Sequence, residues 1–295
     1  MTTPLPPGFI PFSQVLAAGT PVGPARVFAM VNQSGGAGKT TSAVNIAASA
    51  AEYGWRTLIV DGDAQCDASV ACGYEPDRLE GQATLYDVLL GVASFEDTIV
   101  PALAGPFGAK GTVAIDNLYI ALASAELEDA EQMLATRVGR EFWLRGLIDA
   151  VRDKFDLIII DCPGNLGLYV VNAIVACDEV IGCVKPGWKE LRALTRIELK
   201  IEEIQGALAG VKSYLSKVLV VDAPTHRSQG AVYDESKKTV ASAYKEQMLP
   251  MVRRSPRIPE AYAAQKALRI YDRAGEATQD YYDVTKALGF PRRKK

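Results

Sequence analysis

The first 24 residues carry no charged side chain, and the whole chain has one histidine and no Cys-x-x-Cys pair. It also has no apolar run approaching the ~18 residues that a membrane-spanning helix needs. Each absence excludes something. A secretory signal needs a cationic start and an unbroken apolar stretch. Here the start is neutral, and prolines at positions 4, 6, 7, 11, 21 and 24 interrupt it. Residues 1–24 are therefore predicted to form a flexible arm, or one whose Phe9, Ile10, Phe12 and Leu16 dock on the body or a partner. The lone His226, after Pro224-Thr225, has no second histidine with which to build a metal centre, so a solvent-exposed or structural role is expected. The five cysteines (Cys66, Cys72, Cys162, Cys177, Cys183) lack metal-site spacing, and three lie in or beside apolar runs. They read as reduced, buried thiols of a cytosolic protein.

What is present is an ordinary globular composition, 48% hydrophobic and 23% charged over 295 residues. One core domain over 25–290 is expected between the arm and a basic tail at 291–295. The net charge of −3 hides an asymmetry: from Met251 onward eleven cations face five acids. A polyanion would be drawn to that end of an otherwise acidic protein.

The chain is organised around Asn32-Gln33-Ser34-Gly35-Gly36-Ala37-Gly38-Lys39-Thr40-Thr41. An apolar run, Val27 to Val31, precedes it, and Ala43, Ile46, Ala47 and Ala50 follow at helical spacing. Strand, glycine-rich turn and helix in that order suit a phosphate chain: small residues let backbone N–H groups approach the anion, and the helix N-terminus adds partial positive charge. Lys39 then reaches the β and γ phosphates while the Thr40 hydroxyl ligates Mg²⁺. The general pattern wants glycine where Gln33 stands, but the narrower Gly-Gly-x-Gly-Lys-Thr form is intact.

Thr57-Leu-Ile-Val-Asp61 reads as a buried parallel strand. It ends in Asp61-Gly-Asp63-Ala-Gln65, two carboxylates at the carboxyl end of a strand expected to lie next to the P-loop strand, where ligands of such sheets bind. Thr84 to Leu90 is predicted as a short capped helix, Leu118 to Leu122 as a strand, Glu126 to Ala135 as a helix, and Arg140 to Arg152 as a helix. Phe155 to Asp161 forms a second strand closed by an aspartate, a place for a Mg²⁺-side carboxylate. Strands over Asp178–Val184 and Lys217–Asp222 follow, with helices to about Ala209, over Gln229–Met248 and over Thr278–Leu288. The alternation predicts an α/β fold: a mostly parallel, twisted sheet of about seven or eight strands in an α/β/α layered P-loop NTPase arrangement.

The P-loop, Asp61-x-Asp63-x-Gln65, Thr84-Leu-Tyr-Asp87, Ala123-Ser-Ala-Glu-Leu127 and Ile160-Asp-Cys-Pro163 stand together in the order seen in ParA, the deviant Walker-box ATPases that segregate plasmids and chromosomes. The chain resembles that family over about residues 26–290. The resemblance implies a cytoplasmic, nucleoid-associated ATPase that dimerises with ATP and Mg²⁺. It implies nonspecific binding to double-stranded DNA and release when a ParB-type partner stimulates hydrolysis. Position by position, Ser34 to Thr41 (Gly35, Gly36, Ala37, Gly38, Lys39, Thr40, Thr41) take the nucleotide and Mg²⁺. Asp63 matches the carboxylate that positions the attacking water, Asp161 the Mg²⁺-side carboxylate and Asp61 a supporting magnesium-shell group. Arg227, Arg254, Arg257 and, more weakly, Lys266 match basic residues used on DNA.

The departure is Ser34, where the family has a signature lysine that reaches the partner's phosphates. A cation supplied in trans is worth ~10³ to 10⁵ in phosphoryl-transfer rate, so slow hydrolysis is expected unless Lys185 or Lys189 takes the role. Serine here also resembles relatives that position protein bodies. A MinD-like membrane-cycling ATPase needs a C-terminal amphipathic helix, for which Tyr281, Val284 and Leu288 offer only a short stretch better assigned to packing. An iron–sulfur protein needs cysteine pairs that are missing.

Overall fold

The computed structural model describes residues 23–79, 81–224 and 231–293; most of the expected arm, His226, Arg227, Gln229, Lys294 and Lys295 lie outside them. In chain order the strands are β1 (Arg26–Val31), β2 (Thr57–Asp61), β3 (Ile99–Leu103), β4 (Ala114–Ala121), β5 (Leu157–Asp161), β6 (Glu179–Val184) and β7 (Tyr214–Val220). The helices are α1 (Lys39–Glu52), α2 (Asp67–Ala71), α3 (Leu85–Leu90), α4 (Ala130–Ala135), α5 (Trp143–Val151), α6 (Leu168–Ala176), α7 (Trp188–Ala207), α8 (Ala231–Ala243), α9 (Arg257–Ala263), α10 (Leu268–Tyr271) and α11 (Glu276–Ala287). Seven strands form one sheet in the order β3-β4-β2-β5-β1-β6-β7. Against expectation, the Asp61 strand β2 does not neighbour the P-loop strand β1: β5, whose crossover returns between them, pairs with both. All neighbours are parallel except β3 against β4.

Period-two alternation divides each central strand between two cores. Phe28, Met30, Ile59 and Ile159 meet Ile46, Ala47 and Ala50 of α1 and Tyr281 and Val284 of α11. Val27, Ala29, Val31, Ile158 and Ile160 meet Leu144, Ile148, Val170 and Ile174 of α5 and α6 on the other face. Both faces of the sheet are covered, which is why the strands read as continuous apolar runs.

Some elements differ from the sequence expectation. β3 was not anticipated: it is the antiparallel edge strand and contains Pro101, which an edge tolerates. The helix expected from Glu126 opens instead as a 3₁₀ turn, Ala125–Asp129. α8 ends at Ala243, five residues short of the expected Met248. α9 and α10 lie where no helix was predicted. The capped helix at Thr84 forms as expected, the Asp87 carboxylate accepting from both the Thr84 N–H (2.8 Å) and hydroxyl (2.9 Å). Of the expected basic tail, Arg292 and Arg293 pack on the body, over the rings of Tyr53 and Trp55.

Candidate nucleotide site and its basic border

From Val31 the chain turns through 32–38 into α1. Gly38, at φ 82°, is the N-cap residue, and no side chain caps the helix. The first N–H groups of α1 are thus left for a ligand. Only glycine fits at 38, because a Cβ there would lie 2.6 Å from Val221 Cγ2. The loop after β5 closes on the same turn: a Cβ on Gly164 would lie 3.2 Å from the Gly35 nitrogen. Lys39 is buried and folds back along the turn, Nζ donating to the Ser34 carbonyl at 3.2 Å. The resulting cleft, about 440 Å³, is lined by Gly35 through Thr41 together with Asp63, Lys185 and Asp222.

Asp61 and Asp161 are register partners at the ends of β2 and β5. Both are fully buried, yet their surroundings differ. Asp61 Oδ2 accepts from the Ser69 N–H (2.8 Å) and hydroxyl (2.7 Å), and Oδ1 from the Asp63 N–H (3.3 Å). Burial nevertheless pushes its carboxyl up to about 7. Neither oxygen of Asp161 has a hydrogen-bond partner. Burial, then the Asp61 charge, raises Asp161 well above the ordinary carboxylate range, with Thr40 and Lys39 pulling the other way. A buried carboxylate with two orphan oxygens beside a helix-start threonine is a hard-oxygen donor set that fits Mg²⁺. Asp61 has its oxygens occupied by protein donors, so its visible work is to anchor the Asp63 turn and the start of α2. Asp63 is half-buried on the cleft wall, where its Oδ1 accepts from the Gln65 N–H at 3.1 Å.

The two lysines proposed to replace the signature residue separate. Lys185 lines the cleft, its Nζ 3.9 Å from Asp222. Lys189 is exposed on α7 and is not part of the cleft wall. Asp222 sits at φ 55°, a left-handed conformation that aspartate tolerates better than most residues. It holds Arg254 through two bonds, at 2.7 and 3.1 Å. Arg257, exposed at the first position of α9, pairs with Glu260 at 2.8 Å. Lys266 borders an adjoining cleft of about 290 Å³ that shares Thr40, Thr41 and Asp67 with the first. Val221, Val252, Ser255 and Tyr281 also line the nucleotide cleft. Sequence reasoning missed them because they arrive from distant elements and belong to no local motif.

The pattern of the AAA domain family matches residues 25–215. Over 264 residues the chain is 31% identical to the sporulation initiation inhibitor protein Soj of Bacillus subtilis (strain 168), covering 89% of this chain and 98% of that protein. The chain belongs to the ParA family. It is also 29% identical to the chromosome partitioning protein ParA of Caulobacter vibrioides (strain NA1000 / CB15N), over 90% of this chain and 94% of that one. Among solved structures, cobyrinic acid a,c-diamide synthase from Mycobacterium smegmatis, with bound ATP analog and magnesium, superposes with a TM-score of 0.72 at 25% identity. That match covers 90% of this chain and 94% of the synthase. As a ParA-family member the chain is a P-loop ATPase, and the fold is shared with a protein named for a quite different reaction. What is coupled to nucleotide turnover must therefore be argued from this chain's own surface.

Proposed function

We propose that this chain is an ATP-switched partitioning protein for a plasmid or chromosome. Gly35 to Thr41 bind the phosphates of ATP, and Thr40 and Asp161 hold Mg²⁺, which supplies charge neutralisation at the phosphates. Asp63 orients the attacking water, and Lys185 adds positive charge inside the cleft. With ATP bound, two copies close face to face and grip double-stranded DNA without sequence preference. A ParB-type partner stimulates hydrolysis and so releases the dimer. In this reading the protein works in the cytoplasm on the nucleoid.

The observation that carries this reading is the segment 252–259. Its Val252, Ser255 and Ile258 wall the nucleotide cleft, while Arg254 and Arg257 are exposed on the same stretch. On this reading, nucleotide contact and phosphate-backbone contact share one piece of chain. The membrane-cycling alternative is disfavoured, since Tyr281, Val284 and Leu288 are buried in the α1 core. No helix among the described residues is long and apolar enough to cross a membrane.

The test is a salt titration of DNA binding in ATP and Mg²⁺ with Asp63→Ala as the hydrolysis-blocked background. Arg257→Ala should weaken binding about equally on unrelated sequences and lower the log–log salt slope by about 1, with ATP affinity unchanged. An unaltered affinity would refute the assignment of this surface. A second reading, a protein body as cargo, is favoured by Ser34 and is separated by whether the encoded neighbour binds a DNA site or a protein assembly.

A further inference from the structure

Two departures from the phosphate-loop pattern are adjacent: Gln33 replaces a glycine, and Ser34 replaces the family's lysine. One long-range contact reaches the first of them and adjoins the second. Arg196, exposed about two turns into α7, donates from Nη1 to Gln33 Oε1 at 2.7 Å. A glycine at 33 would offer no acceptor, and a lysine at 34 would place a like charge beside the guanidinium. Ser34 is short and exposed, and its N–H is tied to Asn32 Oδ1 at 2.7 Å. Arg196 is absent from the wall of its own cleft, whereas Lys185 lines that wall. The two cations therefore divide by position: Lys185 lines the cleft of its own chain, and Arg196 is held outside that wall on Gln33, one residue before the position of the signature lysine.

We propose that Arg196 supplies the charge that position 34 lacks, reaching from one copy to the triphosphate held by a second, with Gln33 as its positioning residue. The chemistry suits the task. A guanidinium stays charged at any working pH and presents a planar fork of donors matched to phosphate oxygens. Held by a neutral amide rather than a carboxylate, it leaves its perch without breaking an ion pair. The inference rests on the ATP-dependent dimer proposed above.

The experiment is steady-state hydrolysis in ATP, Mg²⁺ and DNA. Arg196→Ala should lower the rate about 10³-fold, with an unchanged melting temperature because the side chain is exposed. Arg196→Lys should recover part of it, and Gln33→Ala should lower the rate by less than Arg196→Ala does. The decisive arm mixes Arg196→Ala with Asp63→Ala. Each is deficient alone, but a mixed dimer has one complete site if the arginine acts across the interface, so the mixture should exceed the sum of its parts. A wild-type rate for Arg196→Ala overturns the proposal, as does a mixture no faster than the separate variants. Sedimentation of Asp63→Ala in ATP and Mg²⁺ separates the two levels. Monomers only would sink the dimer reading and the reach across it, whereas dimers combined with a wild-type Arg196→Ala rate would sink Arg196 alone.

Discussion

The two ends of the central strands are built on opposite terms. At the amino ends, polar groups have partners and apolar rings close the edge. Asp156 accepts from the Arg56 N–H and from Arg293, both at 2.8 Å. The Arg293 guanidinium lies 3.8 Å from the centre of the Trp55 ring. Trp55 donates to the Pro291 carbonyl at 2.7 Å and meets the Phe290 ring edge-on at 5.2 Å. At the carboxyl ends Asp161 is buried without a partner, Lys39 satisfies itself on a backbone carbonyl, and Cys66 and Asp222 adopt positive φ. The C-terminal clasp contributes stability, and the nucleotide end gives some of it up to keep donors and acceptors available for a ligand.

The contrast is broken most strongly at Lys39. Lys39→Ala should cut kcat/KM for ATP by at least about 10²-fold, or about 3 kcal/mol of transition-state stabilisation, with little change in Tm; a rate within tenfold of wild type would contradict the site. Trp55→Ala should do the reverse. We expect a loss of about 2–3 kcal/mol in urea unfolding, with ATPase activity per folded molecule unchanged. A smaller and more diagnostic effect is expected from Asp161→Asn. Removing a buried carboxyl group whose ionisation burial opposes should raise the stability of the nucleotide-free protein by about 1–2 kcal/mol, while magnesium-dependent nucleotide binding is lost. If that variant were less stable than wild type, Asp161 would have a partner the geometry does not reveal.

Much of the frame was legible in advance, for local reasons. The P-loop, its strand and its helix are consecutive, and the apolar runs that became β2 and β5 each end in an aspartate, although only the parallel register of those strands sets the two side by side. The capping pair Thr84 and Asp87 is three residues apart and readable from spacing alone. β3 was not readable, because a five-residue edge strand containing proline resembles a loop until β4 pairs with it. The helices α9 and α10 were missed because they are short and their burial comes from α1 and α2 rather than from their own periodicity. Of the cationic candidates, Lys185 and Lys189 were equivalent on paper, and only the packing of α7 after β6 brought one of them to the cleft.

By itself the sequence determined the parallel α/β class, the phosphate-binding turn and the two acidic strand ends, since each depends on residues within one helix turn or one strand of one another. Tertiary structure decided which of the buried aspartates is left without donors, which carboxylate holds Arg254, and that Arg196 comes to Gln33 from 163 residues away. Those pairings are set by how crossover helices pack against the sheet, and that packing brings together side chains that no local spacing relates.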